Sequence, residues 1–244
     1  MTAGELLAQL ERDPEFVRRA AERERFHRRA SQVTHEAAAP VLAELRAAGF
    51  AIQTLADLIN TPIDYRSAIP TLLKWLPRID DPRVKETIVR SLTVVWARPI
   101  AAAPLLDEFR RAEPGGSLQW AIGNALNVVA DESMFGDIVA LIRQRANGRA
   151  RQMLVLALGR MRQPEAVDVL IDVLPQAEVT GHAVTALGEQ RAIRARPLVE
   201  ACLTHPAAWI RKEARRALRK IDLAAARKGP AHGARRALGE TDRV

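Results

Sequence analysis

Chemistry would have to come from histidine, cysteine, carboxylate or glycine-loop patterns, so their spacing is read first. Among the 244 residues there are five histidines, His27, His35, His182, His205 and His232. None is followed three or four residues later by a second ligand, so no helical metal pair forms. The single cysteine, Cys202, excludes an intramolecular disulfide framework and a cysteine-based zinc site. It stands between Ala201 and Leu203, and reads as a small apolar side chain rather than a nucleophile. Gly115-Gly116 lacks the Gly-Lys-Ser/Thr continuation of a phosphate loop, and no Gly-x-Ser-x-Gly elbow occurs. The expectation is a protein with no catalytic residue, no metal and no cofactor.

What remains is binding chemistry, carried by tryptophan and by basic side chains. The composition contains 37 Lys and Arg against 29 Asp and Glu, a formal charge of +8. Such an excess suits an anionic partner, or reflects an arginine-rich solvated surface. Of the four tryptophans, Trp75, Trp96 and Trp209 fall at apolar helix positions and are expected in the core. Trp120 is out of that frame and is expected at the surface.

The elements that position these residues are helices in repeated pairs. The chain is 48% hydrophobic but only 4% aromatic. Its apolar residues are mainly Ala, Leu and Val beside abundant Arg, a composition that favours helix over sheet. A landmark recurs near the end of a helix: Ser91-Leu92, Ala125-Leu126, Ala157-Leu158, Ala186-Leu187 and Ala217-Leu218. The steps are about 30 residues, the length of a helix pair. Four residues before each landmark leucine stand Ile88, Ile122, Leu154, Ala183 and Ala214, completing an apolar stripe. Each landmark helix follows another apolar helix, centred on Leu72-Leu73, Leu105-Leu106, Leu141-Ile142, Leu170-Ile171 or Leu198-Val199. Asp80-Asp81-Pro82, Glu113-Pro114-Gly115-Gly116, Asn147-Gly148 and His205-Pro206 are the turns within pairs.

This pattern resembles short bacterial HEAT repeats of the type also found in phycobilisome-lyase-like proteins. The residues that carry it are the triplets Ala157-Leu158-Gly159 and Ala186-Leu187-Gly188, and the closing stretch from Pro206 to Leu218. The resemblance covers about residues 68–221. It implies an all-α fold, an α-solenoid of stacked antiparallel helix pairs in a HEAT/armadillo-like superhelix, because a lone pair cannot bury both apolar faces. HEAT-type di-iron hydroxylases carry repeated His-Glu pairs; His35-Glu36 is a lone pair outside the repeats, so no iron site is implied.

The expected organisation is a charged helical segment over 1–39, a divergent first pair or cap over 40–67, the repeat array over 68–221 and a flexible basic tail over 222–244. In the first segment Leu6, Leu7, Leu10, Val17 and Ala21 form a thin apolar stripe, and a separate helix is expected from Pro40 to Ala48. No apolar run reaches transmembrane length and residues 1–29 hold no apolar leader core, so the expected compartment is the cytoplasm.

HEAT arrays line their concave side with the second helix of each pair. Seven residues before each landmark leucine stand Lys85, Gln119, Arg151, Thr180 and Arg211. Two residues before it stand Arg90, Asn124, Leu156, Thr185 and Arg216. The expected binding residues are therefore Lys85, Arg90, Gln119, Trp120, Asn124, Arg151, Arg211, Lys212, Arg215 and Arg216. The resemblance implies a non-enzymatic scaffold that offers this polar, basic face to a protein partner with acidic groups. Nucleic-acid binding is the alternative, since some HEAT-like DNA glycosylases hold a damaged base with Trp, Asp and Arg on that face. A chromophore or lyase role rests on the repeat type alone.

Overall fold

The computed structural model describes Thr2, Gly4 and residues 13–228. The apolar positions Leu6, Leu7 and Leu10 and the tail from residue 229 lie outside the described residues. Within them every regular element is helical. The chain forms two compact units, Met1–Ser91 and Leu92–Val244.

The first unit contains α1 (Pro14–Ala47), α2 (Asp57–Asn60), α3 (Ile69–Trp75) and α4 (Pro82–Ser91). Asp13 caps α1 by accepting from the Glu15 N–H at 2.9 Å, and Pro14 occupies the first turn, where a missing N–H costs little. The expected break at Pro40 does not occur: α1 runs 34 residues straight through it. An interior proline costs about 3 kcal/mol. Val41, Leu42 and Leu45 just beyond it are almost fully buried, and each buried side chain of that size returns roughly 1.5–3 kcal/mol. Burial therefore outweighs the proline. The helix ends at Gly49, whose φ of +93° suits the left-handed stop. There the Gly49 N–H donates to the Arg46 carbonyl and the Phe50 N–H to the Leu45 carbonyl. Glu44 fastens α1 to α3, accepting from Lys74 at 2.7 Å and the Trp75 indole at 2.8 Å. The Lys74 bond, then the Trp75 bond, hold the Glu44 carboxyl below the usual range.

Among its described residues the second unit contains four helix pairs. They are α5 (Ala102–Arg111) with α6 (Ser117–Val129), α7 (Phe135–Arg143) with α8 (Arg151–Leu158), α9 (Glu165–Val173) with α10 (Thr180–Glu189), and α11 (Arg196–Ala201) with α12 (Ala208–Lys228). Each second helix packs on its own first helix, and α6, α8, α10 and α12 also pack on one another in that order. Leu126, Leu158, Leu187 and Leu218 are buried, as are Ile122, Leu154, Ala183 and Ala214 four residues earlier. In the first unit Ile88 is buried likewise, and Leu92 at the head of the second is too. The stripe that marks the repeat in sequence is thus the stripe that fills the core. Residues 222–228, expected as flexible tail, continue α12 to Lys228.

The Ala-Leu-Gly triplets have a spatial meaning. A Cβ on Gly159 would lie 2.7 Å from the Ala186 Cβ, and one on Gly188 would lie 2.7 Å from the Ala217 Cβ. The glycine of one pair receives the alanine of the next, so successive second helices approach to backbone distance.

Candidate binding face

The first turns of the second helices carry a row of polar side chains, and three of the four bury it. Gln119 is 2% exposed and Arg151 1%; Thr180 is also buried and Arg211 half-buried. The cause is the preceding helix. An α-helix leaves its last carbonyls without intrahelical partners, and the short turn within each pair brings them to the start of the next helix. The Gln119 amide donates to the Phe109 carbonyl at 3.3 Å and to the Asn147 side-chain oxygen at 3.0 Å, and its oxygen accepts from the Gly115 N–H at 2.8 Å. Asn147 passes the network to the Leu141 carbonyl at 3.0 Å. Arg151 donates to the Ile142 carbonyl at 3.2 Å, the Gly148 carbonyl at 3.3 Å and Gln176 Oε1 at 2.6 Å. The Thr180 hydroxyl donates to the Leu174 carbonyl at 2.9 Å, and Arg211 donates to the His205 and Pro206 carbonyls at 2.8 and 2.7 Å.

Gln119 and Arg151 are therefore corrected as surface residues: each is an internal cap, sealed from solvent. Burial pulls the Arg151 pKa down, while Glu178, 3.7 Å away, pushes it back up. The signal available in sequence was position. A polar residue one turn after a helix end faces orphan carbonyls, whatever its charge.

Residues farther along the second helices face outward. Within the first unit, Arg90 is exposed on α4 and paired with Glu86 at 2.6 Å, and Lys85 is half-buried. In the second unit Asn124 is half-buried on α6, and Trp120 beside it is 38% exposed, as expected for that position. On α12, Lys212, Arg215, Arg216 and Arg219 are exposed. Between α10 and α12 runs a groove of about 620 Å³ lined by Thr185, Glu189, Glu213, Arg216, Arg219 and Lys220, among others. Its basic side is partly neutralised: Arg216 pairs with Glu213 at 2.7 Å, and Lys220 with Glu189. These two carboxylates qualify the expected polar, basic face.

None of the three tryptophans expected in the core is buried. Trp96 is 45% exposed and Trp209 50%; Trp75 is half-buried. Trp209 lies over Gly181, where a Cβ would come within 1.9 Å of its ring, and meets His182 edge-on with ring centroids 5.6 Å apart. The His182 Nδ1 is buried with no hydrogen-bond partner. Burial first, and Arg149 second, push its pKa below the ordinary histidine value. Cys202 is half-buried, its thiol pushed up by burial, with Sγ 3.5 Å from the Leu198 carbonyl. Among the described residues no three His, Cys, Asp or Glu side chains gather as a metal site, and no helix is long and apolar enough to cross a membrane.

In the first unit a groove of about 650 Å³ lies between α1, the loop at Thr54–Ala56 and α4. Its floor is Ala38, Leu42, Leu55 and Val84, and Gln32, His35 and Arg83 stand at its rim. No family model, curated protein or solved structure matches this chain.

Proposed function

We propose that the protein is a HEAT-type α-solenoid scaffold, working without catalysis, whose second helices offer a polar and basic face to a protein partner bearing acidic groups. The observation that carries this reading is the serial packing of α6, α8, α10 and α12, with the Gly159–Ala186 contact between α8 and α10 and the Gly188–Ala217 contact between α10 and α12. Packing at a constant register places equivalent outward positions side by side, which is how repeat proteins build extended binding surfaces. The outward residues in the second unit are Trp120, Asn124, Lys212, Arg215, Arg216 and Arg219. Tryptophan and arginine are the residue types that most often dominate binding energy at protein interfaces. Gln119 and Arg151 leave the binding set, and Arg211 contributes mainly as a cap.

Affinity capture with the full chain, with and without nuclease, tests the proposal. A partner retained after nuclease supports it, and a partner lost with nuclease contradicts it. The second reading, nucleic-acid binding, draws on one observation: Lys212, Arg215 and Arg219 form one exposed stripe on α12 without an acidic partner among the described residues. Titration with duplex DNA separates the two. Binding through phosphates would show a log–log salt slope of about −0.9 per phosphate contact. Absence of binding at low salt would remove this reading.

A further inference from the structure

The seam between α10 and α12 closes over one histidine nitrogen. His182 is the third residue of α10 and half-buried. Trp209 belongs to the first turn of α12. Its six-membered ring fills the space that a Cβ on Gly181 would take, and it meets the imidazole edge-on. The His182 Nδ1 is sealed there without a hydrogen-bond partner. A neutral imidazole tolerates this, because the bare nitrogen is only an acceptor left unused. A proton on Nδ1 would be a buried, charged donor with nothing to accept it, which is far more costly.

The surroundings do not welcome that proton. Arg149, just before α8, opposes it by its own charge. The N-terminal end of α10 opposes it through the helix dipole. The nearby carboxylates are taken by other cations: Glu178 by Arg151 at 3.7 Å, Asp168 on α9 by Arg194 at 2.7 Å, Glu189 by Lys220, and Glu213 on α12 by Arg216 at 2.7 Å. Lys212, one turn after Trp209, adds a further cation. His205, four residues before Trp209, already uses its Nδ1 to accept from the Ala207 N–H at 3.1 Å.

We propose that His182 is a proton-operated latch: the neutral imidazole keeps Trp209 closed over Gly181, and protonation releases Trp209 and loosens the start of α12 from α10. Lifting the indole is the move that gives the new N–H access to water. Burial first, and Arg149 second, hold His182 below the ordinary histidine value, so the closed seam binds fewer protons than the open one. The latch holds above about pH 6.5, the ordinary value, and loosens as pH falls through the lowered one. It does not depend on the scaffold reading, although the helix it secures carries Lys212, Arg215 and Arg219.

The test is amide hydrogen exchange of the full chain, read by mass spectrometry at about pH 7.5 and about pH 5.5, on either side of the ordinary histidine value. Rates are corrected for the intrinsic effect of pH. In wild type, acidification lowers protection severalfold at the start of α12 and at Thr180–Ala183, while α6 keeps its protection. His182→Phe keeps a ring edge against Trp209 but cannot take up a proton, so its seam stays protected at both pH values. Arg149→Glu, a change at an exposed position, offers the imidazolium a counter-charge and blunts the acid response. This second variant decides the matter if His182→Phe does not fold. Equal seam protection at both pH values in wild type overturns the proposal. So does a folded His182→Phe chain, or an Arg149→Glu chain, that loosens on acidification as much as wild type.

Discussion

Arg151 and Arg216 are the same residue type on two second helices, α8 and α12, yet one is sealed between helix ends and the other lies in solvent beside Glu213. Their neighbours account for the difference. Arg151 opens α8 one short turn after α7 ends, where the Ile142 carbonyl and Gln176 wait for a donor. Arg216 stands midway along α12, where every backbone group is already paired within the helix. The first row holds helix pairs together; the second is available to a partner. Residue type alone separates the two poorly, whereas distance from the preceding helix end separates them well.

The comparison breaks most sharply at Arg151. Arg151→Glu should destabilise by about 3–5 kcal/mol, since it buries an unpaired carboxylate against carbonyl oxygens. Urea denaturation would show a lowered midpoint or an unfolded chain. A midpoint equal to wild type would mean the side chain is not a cap. Leu158→Ala should cost on the order of 2–5 kcal/mol through the cavity it leaves in the buried stripe. A loss below about 1 kcal/mol would remove Leu158 from the core.

Gly188→Ala sharpens the contrast. On an ordinary helix surface this change helps by roughly 0.5–1 kcal/mol. Against Ala217 it should instead cost about 1–3 kcal/mol by forcing α10 and α12 apart. A stabilised variant would contradict the close approach. At the far end of the scale, Arg216→Ala should shift stability by less than about 0.5 kcal/mol, because its ion pair with Glu213 is solvent-exposed. A large loss there would erase the distinction between the rows.

Much of the fold was readable before any coordinates. The landmark leucines and their partners four residues earlier mark the buried stripe because apolar periodicity is a local signal that packing preserves. The Ala-Leu-Gly triplets mark the close contacts for the same reason. Several features were misread. Pro40 suggested a break, but the burial of Val41, Leu42 and Leu45 decides that segment. Gln119 and Arg151 looked like surface because polarity was equated with exposure, when a helix end next door supplied acceptors. Trp209 looked like core because it sits in an apolar register. What places it is Gly181 on the neighbouring helix, whose missing side chain leaves room for the indole ring. The Trp209 contact depends on a partner distant in sequence and the two caps on the preceding helix end, neither of which apolar periodicity carries.

The binding reading stands on the outward row, and one measurement addresses it most directly. The Lys212→Glu/Arg215→Glu/Arg219→Glu triple variant reverses the exposed stripe of α12 and leaves every first-turn cap in place. Quantitative capture of the nuclease-resistant partner is compared with wild type at matched urea midpoints. The account predicts loss of most of the captured partner with an unchanged midpoint. Undiminished capture by a folded triple variant would contradict it.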